Sequence, residues 1–252
     1  MTSKFGGKEQ PRFINHRIRI PVALFITLSL TVIASAQGGG GNPELQEKVA
    51  ALKQSVAANQ QKLHQYQWTE IQSITYKGEA KPPKHFMCQY GPDGKVQKTP
   101  MAQGQQEQPS GGRLKQKMIA KKKEEMADYM GDVKTVLAQY VPPNPQKIQQ
   151  AFAAGKASIS PDKSAGLVNL VFKDYAQPGD QMTIAFDSAA KKIAGVNVNT
   201  YMGQAKDAVT LVVDFSSLPD RTNYVEKTVL NAAAKQIVVT TTNTNYRKMG
   251  GM

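Results

Sequence analysis

Apolar and polar residues alternate along five segments between Leu167 and Tyr246, and residues that favour turns close each segment. Alternation with a period of two is typical of strands that bury one face. The segments are Leu167–Tyr175, Gln181–Phe186, Lys192–Tyr201, Ala208–Leu218 and Tyr224–Tyr246, the last with a break at Asn231–Ala234. Because the connections between them are short, the pattern predicts an antiparallel meander.

A helical pattern and then a strand pattern precede this meander. After Asn42-Pro43, which is a typical helix start, apolar residues recur three, four and seven positions apart to about His64, with an interruption at Asn59. The period then changes to two. It predicts strands over Trp68–Tyr76, Lys84–Tyr90 and Lys95–Thr99.

Two further helices are predicted before the meander. An apolar stripe runs from Leu114 to Tyr140, and Lys121 and Glu125 are spaced for an i,i+4 ion pair on its polar side. Asn144-Pro145 repeats the helix start signal and begins a short helix. Residues 100–112, between the last early strand and the second helix, are rich in Gln, Gly and Pro and predict a mobile loop.

Together these patterns predict an α+β fold. Several predicted strands reach nine residues or more, which is longer than the usual five or six. Long antiparallel strands with one polar face favour a strongly curved antiparallel sheet, an incomplete barrel, with the amphipathic helices covering its concave face.

The N-terminus has the pattern of an export signal. Basic residues occupy the first part, Ile20–Ala36 carries no charge, and Ala34 and Ala36 stand where a signal peptidase reads small residues. We therefore expect a signal peptide over residues 1–36, cleaved between Ala36 and Gln37, and a periplasmic protein. An uncleaved membrane anchor is the alternative. Residues 37–252 then form a single α+β domain, with residues 37–43 as a flexible leader.

The charge of the chain leaves two interpretations open. The formal net charge is +13, and part of the excess lies on the second helix at Lys115, Lys117 and Lys121–Lys123. Such a run is usually a solvated face, but it could also bind an anionic membrane surface. Export makes nucleic acid an unexpected partner.

The sequence contains no recognisable catalytic or metal-binding motif. Cys88 is the only cysteine, and its alternation with Phe86 and Tyr90 places it on an apolar strand face, so we expect a buried and unreactive thiol. His64 and His85 lie in different elements and lack the spacing of a zinc site. We expect no enzymatic activity, no metal and no cofactor.

The order of the elements resembles that of the periplasmic lipoprotein-carrier (LolA/RseB-like) family. The stretches that carry the resemblance are the Leu63–Trp68 helix-to-strand junction, the Met182–Asp187 hairpin strand with Lys192-Ile193 after it, and the final strand from Ile237 to Lys248. The resemblance implies a concave apolar cavity between sheet and helices that holds acyl chains.

This interpretation makes the protein a non-enzymatic binding protein or carrier for a lipid or an acylated protein. The candidate ligand-binding residues are Trp68, Phe86, Met126, Phe172, Phe186 and Phe215. Each of them fits an ordinary core equally well. The alternative is an envelope protein-interaction or scaffold domain with a solid core and no ligand.

Overall fold

The computed structural model describes residues 50, 54, 56–101 and 113–250. The expected signal peptide, the 37–43 leader and most of the 100–112 loop lie outside the described residues. Residues 56–63 are helical and are named α1. The other helices are α2 (Arg113–Leu137) and α3 (Pro145–Ala153). The strands are β1 (Tyr66–Tyr76), β2 (Glu79–Ala80), β3 (Lys84–Tyr90), β4 (Val96–Pro100), β5 (Ala157–Asp162), β6 (Leu167–Lys173), β7 (Gln181–Asp187), β8 (Lys192–Tyr201), β9 (Ala208–Ser217), β10 (Asn223–Ala232) and β11 (Ile237–Lys248).

All strands of the described residues belong to one antiparallel sheet of eleven strands, in the order β4-β3-β1-β11-β10-β9-β8-β7-β6-β5, with β2 paired to β1. Strands β4 and β5 form its two edges, so the sheet is open. Each edge strand contains a proline, Pro100 in β4 and Pro161 in β5, a residue that edge strands tolerate because it donates no ladder hydrogen bond. The structure confirms the expected α+β class.

The register is interrupted in three strand pairs, β1–β11, β7–β8 and β9–β10. An extra residue in one strand bends it and increases its twist, and this is a source of curvature in an open sheet.

The meander predicted from the sequence is present as β6 to β11, and the break in its last segment is the short helical turn Ala233–Lys235. Strands β3 and β8 have the predicted bounds. Strand β5 was not predicted. Its Ala157 and Ile159 alternate with exposed serines, but Pro161 interrupts the pattern. The local sequence therefore gives only a weak strand signal, and the strand is defined by its pairing with β6.

One face of the sheet, named the inner face, carries most of the buried strand residues. Alternate residues such as Leu211 and Val213 of β9 belong to one buried hydrophobic cluster, which also contains Val133 and Leu137 of α2 and Ile148 of α3. Val56 of α1 also packs against this core. The apolar residues of the alternating strands and of the amphipathic helices therefore form one hydrophobic core between the sheet and the helices.

Helix α2 differs from its predicted stripe in two ways. It ends at Leu137, and Tyr140 is buried in the turn that follows. At the other end Met118 is 60% exposed, so the first half of the stripe does not reach the core. The predicted pairing of Lys121 with Glu125 is present, with Nζ and Oε1 3.9 Å apart. Helix α3 starts at the predicted cap, where Asn144 Oδ1 accepts hydrogen bonds from the backbone of Gln146 and Lys147.

Candidate functional site

The inner face has two chemically different halves. The half formed by β6 to β10 is filled by the hydrophobic core under α2 and α3, which extends to Ile237 and Val239 at the start of β11. The other half is formed by β3, β4, the first part of β1, the last part of β11 and the start of β10, and it is lined by aromatic rings and by buried polar side chains, including Glu70, Gln72 and Thr241. This second half is the candidate functional site.

Six rings contact one another in this half and are named the aromatic cluster. They are His64, Tyr66, Trp68, Tyr90, Tyr224 and Tyr246. Trp68 stacks on Tyr246 with ring centroids 5.4 Å apart and an interplanar angle of 10°, and its ring also lies 5.4 Å from that of Tyr90. Tyr90, Tyr224 and Tyr246 are only half-buried. The cluster therefore presents aromatic surface that the core does not cover.

Trp68 is held in place by hydrogen bonding as well as by stacking. Its Nε1 donates to Asn243 Oδ1 at 3.1 Å, and Asn243 Nδ2 donates to the carbonyl oxygen of Val225 at 2.9 Å. The indole and the amide thus link β1, β11 and β10.

A bulge in β11 brings Tyr246 to the inner face. Thr69 pairs with Thr244 and Gln67 pairs with Arg247, so two residues of β11 lie opposite Trp68 alone. Asn245 takes the extra position with a φ of 55°, a conformation that asparagine tolerates better than most residues. Without the extra residue, strict alternation from Ile237 would place Tyr246 on the outer face. The sequence pattern therefore missed this residue, and Asn245 is the local signal for the bulge.

A buried ion pair lies beside the aromatic cluster. Lys98 Nζ lies 2.5 Å from both carboxylate oxygens of Glu70. The side chains of Lys98 and Glu70 are 14% and 7% exposed, and Lys98 Nζ also lies 6.0 Å from the ring centroid of Phe86. Removing two charges from water is costly, and their attraction offsets this cost only when the geometry is good.

Strand register explains why these residues meet. Glu70 pairs with Phe86 across β1 and β3, and Cys88, which pairs with Trp68 in β1, pairs with Lys98 in β4. Residues two apart on a strand share a face, so the ion pair, the thiol and the rings lie on the same side of the sheet.

The tyrosine and cysteine side chains around the ion pair are uncharged at neutral pH. Burial raises the pKa of Tyr90 to about 12 and, with a smaller contribution from Glu70, raises the pKa of Cys88 to about 12. Burial also raises the pKa of Tyr246. These three groups therefore add no charge beside Glu70 and Lys98.

The structure separates the six candidate ligand-binding residues into two groups. Trp68 and Phe86 lie in the aromatic and polar half of the inner face. Phe172 and Phe186 are buried in the hydrophobic core, and Met126 and Phe215 pack against it half-buried. The structure does not bring the six together, and a role in ligand binding stays a prediction for each of them.

A second feature is a depression of about 420 Å³ at one end of β8 and β9. Its lining includes Asn199, Tyr201 and Thr210, which alternate with the buried residues of these strands and so belong to the outer face. Its lining residues carry no charge, and it is separate from the aromatic cluster.

Within the described part of the chain, His, Cys, Asp and Glu side chains do not gather in the groups of three that a metal ion would need. Among the described helices, none has an apolar stretch long enough to span a membrane.

Comparison with known proteins finds similarity in structure only. No family model and no curated protein matches the chain. A DUF1329 family protein from Desulfovibrio piger has a TM-score of 0.38 and 11% identity, with 81% of this chain and 94% of that chain covered. A putative outer membrane lipoprotein-sorting protein domain from Vibrio parahaemolyticus has a TM-score of 0.35 and 10% identity, with 83% and 92% covered. Neither likeness is close enough to transfer a function or a residue role to this chain.

Proposed function

We propose that the protein is a non-enzymatic, periplasmic binding protein or carrier for a lipid or an acylated protein. The ligand would bind at the aromatic and polar half of the inner face. The observation that carries this proposal is the position of the buried Glu70–Lys98 ion pair beside the stack of Trp68 on Tyr246.

This combination suits an amphipathic ligand. Aromatic rings with uncovered surface contribute apolar area, and each methylene of an acyl chain removed from water stabilises a complex by about 0.8 kcal/mol. Small-molecule sites are mostly apolar surfaces with a few polar groups that fix orientation. Glu70 and Lys98 are such groups, because they are charged, oriented by each other and adjacent to the rings.

The division of the inner face supports the same location. In the other half, residues such as Phe172 and Ile184 are fully buried against the helices, and a ligand there would have to displace the core. Tyr90, Tyr224 and Phe86 keep part of their surface uncovered, so a ligand could contact them without unfolding the domain.

The alternative is a protein-interaction or scaffold domain without a ligand. The continuous core between the sheet and helices α2 and α3 favours it, because a solid core needs no ligand to be stable. The two functions differ in one measurable property, which is whether the inner face takes up an acyl chain.

Trp68 provides the test because it is the only tryptophan of the chain. We would titrate the protein with a brominated fatty acid and, as the control, with the same fatty acid without bromine. Bromine quenches indole fluorescence only near contact, so the carrier predicts quenching by the brominated chain alone. Native mass spectrometry of protein purified from its own periplasm, with lipid extraction, would identify the bound species.

The contrary result is equally clear. If neither fatty acid changes the Trp68 emission, and the native mass is that of the free chain with and without added lipid, the carrier proposal is wrong. The scaffold alternative then predicts that a protein partner co-purifies.

A further inference from the structure

Two exposed methionines and a histidine lie together on the outer face of the sheet, near its β4 edge. Among the described residues, the large apolar side chains that are exposed are all methionines, and Met87 and Met101 are 37% and 42% exposed. His85 beside them is half-buried. The hydrophobic core does not account for their position, because it lies on the opposite side of β3, where Cys88 is fully buried.

The register of β3 and β4 makes these three residues neighbours. Met87 pairs with Thr99. Met101 continues the same pairing opposite His85, and its backbone N–H donates to the His85 carbonyl oxygen at 2.9 Å. Side chains directly opposite each other have Cβ atoms about 4.5–5.5 Å apart, and diagonal neighbours are about 7–8 Å apart. Since residues two apart on a strand share a face, His85, Met87 and Met101 form one patch, which is named the thioether patch.

The neighbours of the thioether patch on adjacent strands are uncharged. They are Thr69 and Ile71 in β1 and Thr99 in β4. The carboxylate of Glu70 and the amine of Lys98 belong to the inner face, where they pair with each other. Hard cations such as Mg²⁺ and Ca²⁺ take oxygen ligands, above all carboxylates, and these neighbours offer none.

We propose that the thioether patch is a binding site for a monovalent copper ion. Thioethers select Cu(I), and imidazole also suits copper. Methionine has three rotatable side-chain bonds, so the sulfurs of Met87 and Met101 and a ring nitrogen of His85 can meet at one ion above the sheet. Zn²⁺ is not expected there, because it binds through thiolate, imidazole and carboxylate ligands. Zinc motifs contain no methionine, so they do not reveal this site in the sequence.

The test is competition for Cu(I) with bicinchoninate, a chelator whose copper complex is coloured, without oxygen and with ascorbate as the reductant. The protein should withdraw one Cu(I) per chain and reduce the colour accordingly. In protein labelled with ¹³C at the methionine methyl groups, Cu(I) should shift the NMR signals of Met87 and Met101 and leave that of Met118 unchanged. Zn²⁺ should shift none of them.

Conservative variants identify the ligands. Met87→Leu combined with Met101→Leu keeps the apolar volume and removes both sulfurs. Loss of an outer-shell partner alone lowers the affinity for a metal about 10- to 100-fold, so this double variant should bind Cu(I) at least about 100-fold more weakly. His85→Gln should lower the affinity at least about tenfold. The matched control is Met118→Leu, which removes an exposed methionine on α2 and should bind Cu(I) like the wild type.

Cys88 needs a control of its own, because a thiol is also a soft ligand for Cu(I). It is fully buried on the opposite face, so Cys88→Ala should keep the binding, and circular dichroism checks that each variant folds. The proposal is wrong if the wild type takes no Cu(I) from the chelator, if the methionine double variant binds as tightly as the wild type, or if folded Cys88→Ala loses the binding. Equal shifts with Zn²⁺ would also overturn it. The inner face is not involved, so the result is independent of the carrier function.

Discussion

The side chain of Asn59 forms two hydrogen bonds with the backbone of Asn223. Asn59 Nδ2 donates to the carbonyl oxygen at 2.6 Å, and Asn59 Oδ1 accepts from the backbone N–H at 2.6 Å. The pair joins α1 to the first residue of β10. This contact gives a physical reason for a polar residue in the apolar stripe of the helix.

Asn59→Leu restores the apolar stripe but should destabilise the protein. The backbone N–H and C=O of Asn223 would lose their partners, and we expect the free energy of unfolding to fall by about 2 kcal/mol. Urea unfolding measures the change. Gln61→Leu, at an exposed position of the same helix, is the control and should change stability by less than about 0.5 kcal/mol. An Asn59→Leu variant as stable as the wild type would show that the two hydrogen bonds contribute little.

The Glu70–Lys98 ion pair predicts strongly non-additive variants. Lys98→Met leaves the Glu70 carboxylate buried without its partner and should cost about 3 kcal/mol of stability. The double variant with Glu70→Leu replaces both charges by apolar groups and should recover most of that loss. A double-mutant cycle by urea unfolding measures the coupling. Additive losses would mean that the two side chains do not act as a pair.

Asp180 connects the end of α2 to the turn between β6 and β7. Its carboxylate accepts hydrogen bonds from the Tyr140 hydroxyl at 2.5 Å and from the backbone N–H groups of Tyr175, Ala176 and Gln177 at 2.6, 3.0 and 2.7 Å. In Asp180→Asn an amide NH₂ group replaces one carboxylate oxygen, so a donor faces some of these N–H and O–H donors and their hydrogen bonds are lost. We expect the free energy of unfolding to fall by about 3 kcal/mol. The control is Asp187→Asn at the end of β7, where one backbone hydrogen bond is affected. Equal losses at the two positions would contradict the prediction.

Tyr66 controls the acidity of Asp220. Hydrogen bonds from Tyr66, from Thr222 and, with a smaller effect, from Lys248 hold the pKa of the Asp220 carboxyl well below its ordinary value. Tyr66→Phe should therefore raise the pKa of Asp220 more than Lys248→Gln does. Carboxyl carbon NMR titration measures both values, and the reverse order would contradict the assignment.

The sign of the pH effect follows from the lowered pKa. A carboxyl with a depressed folded-state pKa stabilises the fold above the ordinary pKa of aspartate, about 4, and loses this contribution as the pH falls through the folded-state value. The stability difference between wild type and Tyr66→Phe should therefore be largest near neutral pH and narrow in acid. A difference that does not change with pH would show that only packing was lost.

Local patterns predicted most of the elements. Strands β3 and β8 have the predicted bounds because alternation and flanking turn residues mark both ends of each. The end of α2 was predicted three residues too late, because Tyr140 continues the helical spacing although the chain has already turned. In each case the residues that made the predicted boundary right or wrong lie within a few positions of that boundary.

The candidate site depends on contacts that local patterns do not contain. Lys98 meets Glu70 only because β3 pairs with both β1 and β4. Tyr246 reaches the inner face only because of the bulge at Asn245. Trp68 and Phe86 could be proposed from residue type, but their separation from Phe172 and Phe186 follows from strand order. Register and topology decided which predicted residues became neighbours.

Cys88 should be unreactive in the folded protein. Its side chain is fully buried, and its pKa of about 12 leaves far less thiolate than an exposed cysteine has. With an ordinary thiol pKa of about 8.5, the unfolded chain should react with an aromatic disulfide reagent at least about 1,000-fold faster near pH 8. The release of the coloured thiol, with and without concentrated urea, measures the ratio.

A control is needed because the reagent must be shown to work on the folded protein. Cys88→Ala combined with Ser164→Cys places the single thiol at an exposed turn, where it should react rapidly without urea. Fast reaction of the native wild-type thiol would show that the face of β3 opens to solvent. Slow reaction in the wild type and fast reaction in the control would place Cys88 in the packed interior.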